Sequence, residues 1–356
     1  MIDLPILVDD SLFDAYDVQK ARRNRGMPLE ALALDTTPVG MHYLLAHFDI
    51  PIFDPDTWSL GITGHVKKPL TFNLEQLRRF PRMSQIVTIE CAGNGRTHIE
   101  PRPPGNPWGY DGVSTSIWSG VSLQLALNEA EILKSARSVV FSGADFGERL
   151  GRTEYYKRAL SLEEAASDDM LLAFEMSGRP LEPQQGAPLR LVAPGWYGMA
   201  HVKWLTGIEL IDHEFDGPQH EAYRIKQSED ELGEPVTKMK VRSLMIPPGY
   251  PENSHRHRLL EPGLVTLQGR AWSGTAEIER VEVGINNVWA ESVVEPAVAD
   301  RKAWQGWTYQ WGAESGEHLL RCRATDALGN TQPLVPSWNL RGLANNAVQQ
   351  VAVTVR

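Results

Sequence analysis

The most informative stretch of this chain is Ser84-Gln-Ile-Val-Thr-Ile-Glu-Cys91-Ala-Gly-Asn-Gly-Arg96. Its apolar, β-branched first half predicts a buried strand, which the glycines and the asparagine then end. Cys91 lies at that strand end, before a Gly-rich turn and an arginine. The backbone N–H groups of the turn and the guanidinium would favour its thiolate, a soft metal ligand. The alternative is a buried structural cysteine, the commoner fate of a free thiol, but the Gly-Asn-Gly-Arg context favours the ligand.

The composition is that of a globular protein. With 356 residues, 42% of them hydrophobic and 22% charged, the chain is long enough for two or three domains. A net charge of -10 argues against a nucleic-acid surface, which needs clustered Lys and Arg. No apolar run approaches the roughly 20 residues of a membrane span, and no signal peptide is recognisable at the N-terminus. We therefore expect no nucleic-acid or membrane partner and a cytoplasmic location, or a periplasmic one if a leader was removed.

The two cysteines also limit the redox groups that the chain could hold. They cannot form a disulfide framework, and an iron–sulfur cluster usually takes four thiolates. There is no Cys-x-x-Cys-His motif for covalent haem, and no Gly-x-Gly-x-x-Gly follows a predicted strand, so a nucleotide site for NAD is unsupported. Cys322 lies in a strand-like run and is predicted to be a core residue.

The pattern of residues divides the chain into three parts. Residues 1–40 are charged and irregular and are predicted to form an N-terminal arm on the surface. Residues 41–235 mix short strands with helices that open on capping boxes at positions 73–76 and 161–164, which predicts an α+β domain. After the polar, acidic stretch 226–235, residues 236–356 carry strand and turn signals, as in an immunoglobulin-like β-sandwich.

The motif Cys-Ala-Gly-Asn-Gly-Arg at Cys91 resembles the cysteine motif of the sulfite oxidase family of molybdenum enzymes. The resemblance runs from about His42 to the C-terminus. It includes Asp54-Pro55-Asp56-Thr57-Trp58, Gly186-Ala-Pro-Leu-Arg190, Pro194-Gly195, Gly198-Met-Ala-His201-Val-Lys203-Trp204-Leu205 and Trp338-Asn-Leu-Arg341-Gly342. It implies a molybdopterin-binding domain with mixed β-sheets, followed by an immunoglobulin-like domain that makes a homodimer. It also implies molybdopterin as the only redox centre, without haem, and a separate electron carrier such as a cytochrome.

The resemblance assigns roles to individual residues. Cys91 would bind molybdenum. The pterin would contact Tyr43, Leu44, Leu45, Ala46, His47, Asp145, Gln185, Arg190, His201, Val202 and Lys203. Arg96 and Arg341 would hold the substrate anion, and Tyr223 matches the active-site tyrosine. The residues alone allow plainer roles: ion pairing or solvation for the basic side chains, turn chemistry for Asp145, and packing for Tyr223.

Three positions depart from the family pattern. Leu45 stands where an arginine normally helps to hold the oxyanion, Gln185 where a pterin-contacting histidine is usual, and Gly95 where the cysteine motif has its first basic residue. The cofactor site is therefore predicted to be largely retained and the substrate pocket altered.

The predicted function is molybdopterin-dependent oxygen-atom transfer on a small anionic substrate, sulfite by default. Reduction of nitrate or of an S- or N-oxide is the second enzymatic hypothesis. A binding protein with a relic cofactor domain is the alternative outside catalysis. For the homodimer, Trp304, Trp307 and Trp311 are interpreted as exposed interface aromatics, with the sandwich core as their alternative place.

Overall fold

The computed structural model describes residues 23–54, 56–297 and 302–356, in which strands predominate. The first twelve strands are β1 (Leu60–Gly64), β2 (Leu70–Phe72), β3 (Arg82–Glu90), β4 (Val113–Ser122), β5 (Ser138–Arg149), β6 (Arg152–Ser161), β7 (Leu171–Met176), β8 (Arg179–Pro180), β9 (Arg190–Val192), β10 (Leu205–Ile211), β11 (Arg224–Ile225) and β12 (Glu234–Pro235). Short α-helices lie among them: α1 (Leu74–Leu77), α2 (Leu123–Ala130), α3 (Leu162–Ala165) and α4 (Pro218–Ala222). Single 3-10 turns span Leu29–Ala33, Val39–Met41, Arg96–His98, Pro183–Gln185 and Gly198–Ala200.

Two sheets form the N-terminal half. One has the order β2-β1-β10-β5-β6, in which β1 and β10 are parallel and the other neighbours antiparallel. The other joins β3, β4, β7 and β8, with β9 also on β7. One hydrophobic core takes buried side chains from both sheets and from α2, among them Ile62, Phe141, Leu127 and Leu172. This mixed α+β arrangement confirms the predicted fold class.

The local predictions for this half hold with small changes. The capping boxes are present at Asn73 and Ser161, where side chain and backbone bond reciprocally over three residues. Ser122 precedes α2, but its side chain makes no cap hydrogen bond. Strand β5 continues through a register shift between Ser142 and Phe146 and ends only at Arg149.

The C-terminal half is a sandwich of two sheets, as predicted. Its strands are β13 (Arg242–Met245), β14 (Tyr250–Pro251), β15 (Arg258–Leu260), β16 (Gly263–Trp272), β17 (Ile278–Ile285), β18 (Val288–Glu291), β19 (Val293–Val294), β20 (Gln305–Ala313), β21 (Gly316–Asp326) and β22 (Gln349–Val355). The sheet orders are β13-β16-β20-β19 and β14-β15-β22-β21-β17-β18. Cys322 is fully buried between them, as expected of a core residue. The exact division at residue 235 stays a prediction.

The interpretation of three tryptophans as exposed aromatics is wrong. Trp307 and Trp311 are 1% and 5% exposed. They lie four positions apart on β20. Because side chains alternate between the two faces of a strand, both point to the same face, which is the interior of the sandwich. Trp304 is also 1% exposed and packs beside Trp272 in a different core, where its Nε1 donates to the carbonyl of Asp35.

The predicted surface arm is also wrong from Arg23 onwards, whereas residues 1–22 lie outside the described residues. Met27 and Leu32 are each 1% exposed and belong to the same core as Cys91. Backbone bonds attach the segment to its surroundings, including Met27 N–H to the carbonyl of Asp111. The described part of the arm therefore packs into the core that also contains Cys91. None of the helices in the described ranges is long and apolar enough to cross a membrane.

Candidate active site

Cys91 follows β3 directly and is held by the backbone on both sides. Its N–H donates to the carbonyl of Gly112 at 2.8 Å, and its carbonyl accepts from Asn94 N–H at 2.9 Å. The turn then needs Gly95, whose φ of +83° lies in the left-handed region. The strand end predicted from the β-branched run thus fixes where the thiol sits.

The predicted preference for a thiolate does not hold for the protein alone. Cys91 is 7% exposed, and its burial raises the pKa of the thiol above the usual value. The charge of Arg96 and the backbone of Gly93 oppose that shift but do not cancel it. Deprotonation is therefore expected to accompany the binding of a cation, which releases the proton.

An inner pocket opens at the thiol and collects most of the predicted cofactor residues. It is lined by His42, Tyr43, Leu44, Leu45, His47, Ile89, Cys91, Ala92, Asp145, Tyr156, Gln184, Gln185, Arg190, Gly198, Met199, His201, Lys203, Trp204 and Tyr223. Val202 does not line it, because its side chain is fully buried in the core between the two sheets. Ala46 faces a second, outer cavity instead. Residues that sequence reasoning missed include His42, which directly precedes the stretch 43–47 assigned to the pterin, and Tyr156, which lies on β6 outside every quoted motif.

Two desolvated cations dominate the inner pocket. The Lys203 ammonium donates to the carbonyls of Leu45 at 2.7 Å and Gln184 at 3.3 Å. Burial, with the nearby charge of Arg190, lowers the pKa of Lys203 to about 7. The Arg190 guanidinium donates to the carbonyl of Gln185 at 2.9 Å and lies over the Trp118 ring, and burial lowers its pKa to about 10. The surface solvation considered for these residues is therefore excluded for Arg190, which is 7% exposed.

The polar groups of the inner pocket are incompletely paired. Arg190 Nε, Asp145 Oδ1 and His42 Nε2 are buried and have no hydrogen-bond partner among the described residues. Burial raises the pKa of Asp145 to about 6, against the opposing charge of Lys203. Since buried polar atoms are normally bonded, these three groups indicate a polar ligand.

His201 differs from these groups because the protein itself satisfies its ring. Nδ1 accepts from Ala193 N–H at 3.2 Å, and Nε2 lies 3.2 Å from the Trp196 carbonyl, to which it donates as the neutral tautomer. Burial lowers the pKa of His201 to about 3, so the ring is neutral. Its ring nitrogens position the wall of the pocket and are not available to a ligand.

The outer cavity has a volume of about 630 Å³ and meets the inner pocket at shared residues. Leu45, His47, Cys91 and Tyr223 line both. The remaining wall consists of Arg23, Ala46, Phe48, Asp49, Gly93, Arg96, Pro104, Gly105, Asn106, Trp108, Phe146, Gly147, Glu148, Arg149, Ala222, Glu229, Leu340, Arg341 and Leu343. A molecule in this cavity would therefore have access to the thiol, whereas Lys203 and Arg190 line only the inner pocket.

Arg96 and Arg341 both line the outer cavity. Arg96 is buried and donates from Nε to the Arg341 carbonyl at 2.9 Å and from Nη1 to the Asn106 carbonyl at 2.7 Å. A Cβ at Gly93 would lie 2.4 Å from Nη2 of Arg96, so glycine is required for the guanidinium to pack there. The surface ion pair considered for Arg96 is excluded by its burial.

Tyr223 lies at the junction of the two cavities. Its hydroxyl is 2.6 Å from His47 Nε2, and its ring lies within 6 Å of the guanidinium carbons of Arg149 and Arg158. Burial raises the pKa of Tyr223, while Arg149 lowers it, so the phenol stays protonated at neutral pH. Arg149 and Arg158 were missed by sequence reasoning, because nothing in β5 or β6 marks them apart from their arginine identity.

The structure explains the absence of a basic side chain at Gly95. A Cβ there would lie 2.7 Å from Nη2 of Arg242, which comes from β13 in the C-terminal half. Arg242 is 1% exposed and ion-paired with Glu90, the residue before the thiol. The space behind the turn is therefore filled by a distant arginine.

Comparisons with known proteins support this architecture. The model for an oxidoreductase molybdopterin binding domain matches residues 47–219, and the model for a Mo-co oxidoreductase dimerisation domain matches residues 234–356. Mitochondrial sulfite oxidase of Mus musculus is 31% identical over 90% of this chain and 61% of its own length. Nitrate reductase [NAD(P)H] of Hordeum vulgare is 30% identical over 90% of this chain, which spans 39% of that protein.

Among solved structures, the sulfane dehydrogenase SoxCD from Paracoccus pantotrophus has the same fold. It superposes with a TM-score of 0.80, covering 100% of this chain and 96% of that chain, at 24% identity. At this identity the likeness concerns the fold alone. The chain also spans only about two fifths to three fifths of the nitrate reductases and sulfite oxidases that it matches.

Proposed function

Because this chain belongs to the sulfite oxidase family of molybdopterin-dependent oxidoreductases, we propose that it is an enzyme that transfers an oxygen atom to or from a small anionic substrate. One observation carries the proposal. The Cys91 thiol lies where a pocket lined by desolvated cations meets a cavity lined by arginines. In a binding protein with a relic cofactor domain, nothing would maintain both the cationic pocket and the arginine-lined cavity at the thiol.

The residues of the inner pocket fit a molybdopterin. Its phosphate needs fixed cations, which Lys203 and Arg190 supply, and its pterin needs polar partners, which the unpaired atoms of Asp145 and His42 offer. Cys91 would provide the soft thiolate ligand to the metal. When bound, the cofactor supplies the two-electron oxygen-transfer chemistry, whereas the protein supplies binding, orientation and electrostatics.

In the outer cavity the protein binds and orients the substrate. Arg96 and Arg341 lie on one wall and would hold an oxyanion by charge-assisted hydrogen bonds. The protonated phenol of Tyr223, fixed by His47, can donate a hydrogen bond toward the reacting oxygen. Burial of Arg96 and Tyr223 keeps these donors in place before the substrate arrives.

Sulfite oxidation is the default reaction, and a reductase acting on nitrate or on an S- or N-oxide is the second candidate. Leu45 favours the second, because it places an apolar side chain where the two cavities meet and so disfavours a dianion. The two candidates share the same cofactor site and differ in the direction of electron flow.

For assembly we propose a homodimer through the C-terminal sandwich and a separate electron carrier such as a cytochrome. The dimerisation-domain match over residues 234–356 supports the first. The second follows from the expectation that molybdenum is the only redox centre of this chain.

Metal analysis tests the proposal first. The purified protein should contain about one molybdenum per chain, and a protein without molybdenum, when produced in cells that make the cofactor, would support the relic alternative. Turnover is then measured with sulfite and a dye acceptor, and with nitrate or an S-oxide and a reduced dye. Activity in the first assay alone identifies an oxidase, and activity in the second alone identifies a reductase.

A further inference from the structure

We propose that Arg149, which no motif of the sequence marks, binds the anionic group of the substrate in the outer cavity. The inference rests on the proposed function, since it concerns the same site. It identifies a third arginine, placed on a different element from Arg96 and Arg341. Its role would offset the apolar side chain of Leu45.

The hairpin between β5 and β6 fixes the position of Arg149. Arg149 is the last residue of β5 and pairs with Arg152 across a two-residue turn, Leu150-Gly151, in which both residues have positive φ. Such a turn sets the register of the hairpin and therefore the direction of the side chain beside it.

The hairpin packs directly on the segment that carries Leu45. A Cβ at Gly147 would lie 2.3 Å from Cδ1 of Phe48, so only glycine allows this approach of β5 to the Phe48 ring. Phe48 comes three residues after Leu45, and both line the outer cavity with Arg149. Arg149 therefore lines the cavity from β5, which packs beside the segment where Leu45 replaces the arginine of the family pattern.

The electrostatic setting of Arg149 indicates a ligand. Its guanidinium carbon lies 5.8 Å from the centre of the Tyr223 ring, beside the phenol proposed to face the substrate. Its Nε is buried and has no hydrogen-bond partner within the described ranges. A neighbouring arginine, Arg152, instead forms a surface ion pair with Glu221 at 2.9 Å.

The acidic groups of the cavity do not neutralise Arg149. Asp49 is paired with Arg23 at 2.8 Å. Glu148 and Glu229 are exposed, so water and salt screen their charges. An oxyanion in the cavity would therefore find a cation that is already partly desolvated.

Sulfate is a suitable probe, because it is a dianion that the enzyme cannot oxidise further. Its binding to the purified holoprotein is measured by calorimetry and by competitive inhibition of turnover, for the wild type, Arg149→Gln and Arg152→Gln. Arg149→Gln should weaken sulfate binding by about tenfold to a hundredfold, as expected for the loss of one charge-assisted contact. Arg152→Gln should leave it unchanged, and Leu45→Arg in the Arg149→Gln background should recover part of the loss.

The outcomes separate this inference from the proposed function. Normal turnover with unchanged sulfate binding in Arg149→Gln would overturn the role of Arg149 and leave the enzyme assignment standing. Sulfate binding that depends on Arg149 in a protein without turnover would support the role of Arg149 and overturn the enzyme assignment. Equal losses in Arg149→Gln and Arg152→Gln, or no sulfate binding to the wild type at millimolar concentration, would also overturn it. If Arg149→Gln fails to fold, Arg149→Lys is tested instead. It keeps the positive charge without the bidentate guanidinium and should weaken sulfate binding by less than the roughly tenfold to hundredfold expected for Arg149→Gln.

Discussion

Replacing Arg242 by methionine should lower the free energy of unfolding by about 3 kcal/mol. Arg242 and Glu90 form an ion pair in which both side chains are 1% exposed. Removal of one partner of such a pair leaves an uncompensated buried charge, at a cost of about 3–5 kcal/mol. The lower end applies here because Glu90 keeps hydrogen bonds from Trp272 Nε1 at 2.9 Å and from Asn94 Nδ2 at 3.0 Å.

Urea unfolding of the purified protein, followed by tryptophan fluorescence and far-UV circular dichroism, measures this change. Arg79→Met is a matched control, because Arg79, just after α1, forms an exposed ion pair with Glu75. Its loss should lower the free energy of unfolding by less than about 0.5 kcal/mol. The double variant Glu90→Gln, Arg242→Met removes both charges and should be less destabilised than Arg242→Met alone. A loss below about 1 kcal/mol in Arg242→Met, or a double variant worse than the single one, would refute the reasoning.

Three further predictions concern the site and the assembly. Cys91→Ser should fold like the wild type by circular dichroism yet lose turnover, because a hydroxyl does not replace a soft thiolate; full activity would contradict the assignment. Leu45→Arg should lower the KM for sulfite by about tenfold to a hundredfold. A wild-type KM already in the low micromolar range would contradict this, because it would show that Leu45 does not weaken sulfite binding. The purified protein should have the mass of a dimer by light scattering at micromolar concentration, and a monomeric mass would exclude the proposed assembly.

The features predicted correctly from the sequence are those encoded over a few residues. The strand before Cys91 follows from its β-branched run, and the capping boxes follow from side chains three positions apart. Arg190 and Lys203 also lie within short motifs, but their place beside Cys91 in one pocket was implied only by the family resemblance. For the strand and the capping boxes, neighbouring residues decide the structure.

The features that were missed depend on contacts between distant residues. Arg149 reaches Tyr223 only because the hairpin folds over Phe48, and Arg242 reaches Glu90 across 152 positions. The burial of Met27 has the same origin. Charged residues lie around it in the sequence, and Met27 is buried only because it packs into a core formed by residues from distant parts of the chain. The error at Trp307 and Trp311 is different, because their spacing along β20 already placed them on one face of a strand.

The turn after Cys91 is closed by residues from a segment that lies far along the chain. Ala344 N–H donates to the carbonyl of Ala92 at 2.7 Å, and Asn345 Nδ2 donates to the carbonyl of Gly95 at 2.8 Å. Asn345 lies 250 residues after Gly95, so a ribosome delivers this partner long after it has made the turn. We therefore expect the thiol to acquire its final surroundings only after the segment around Ala344 has been synthesised and has docked. Truncation just before residue 344 should thus leave most of the N-terminal sheets folded, whereas the turn would lack its hydrogen bonds from Ala344 and Asn345.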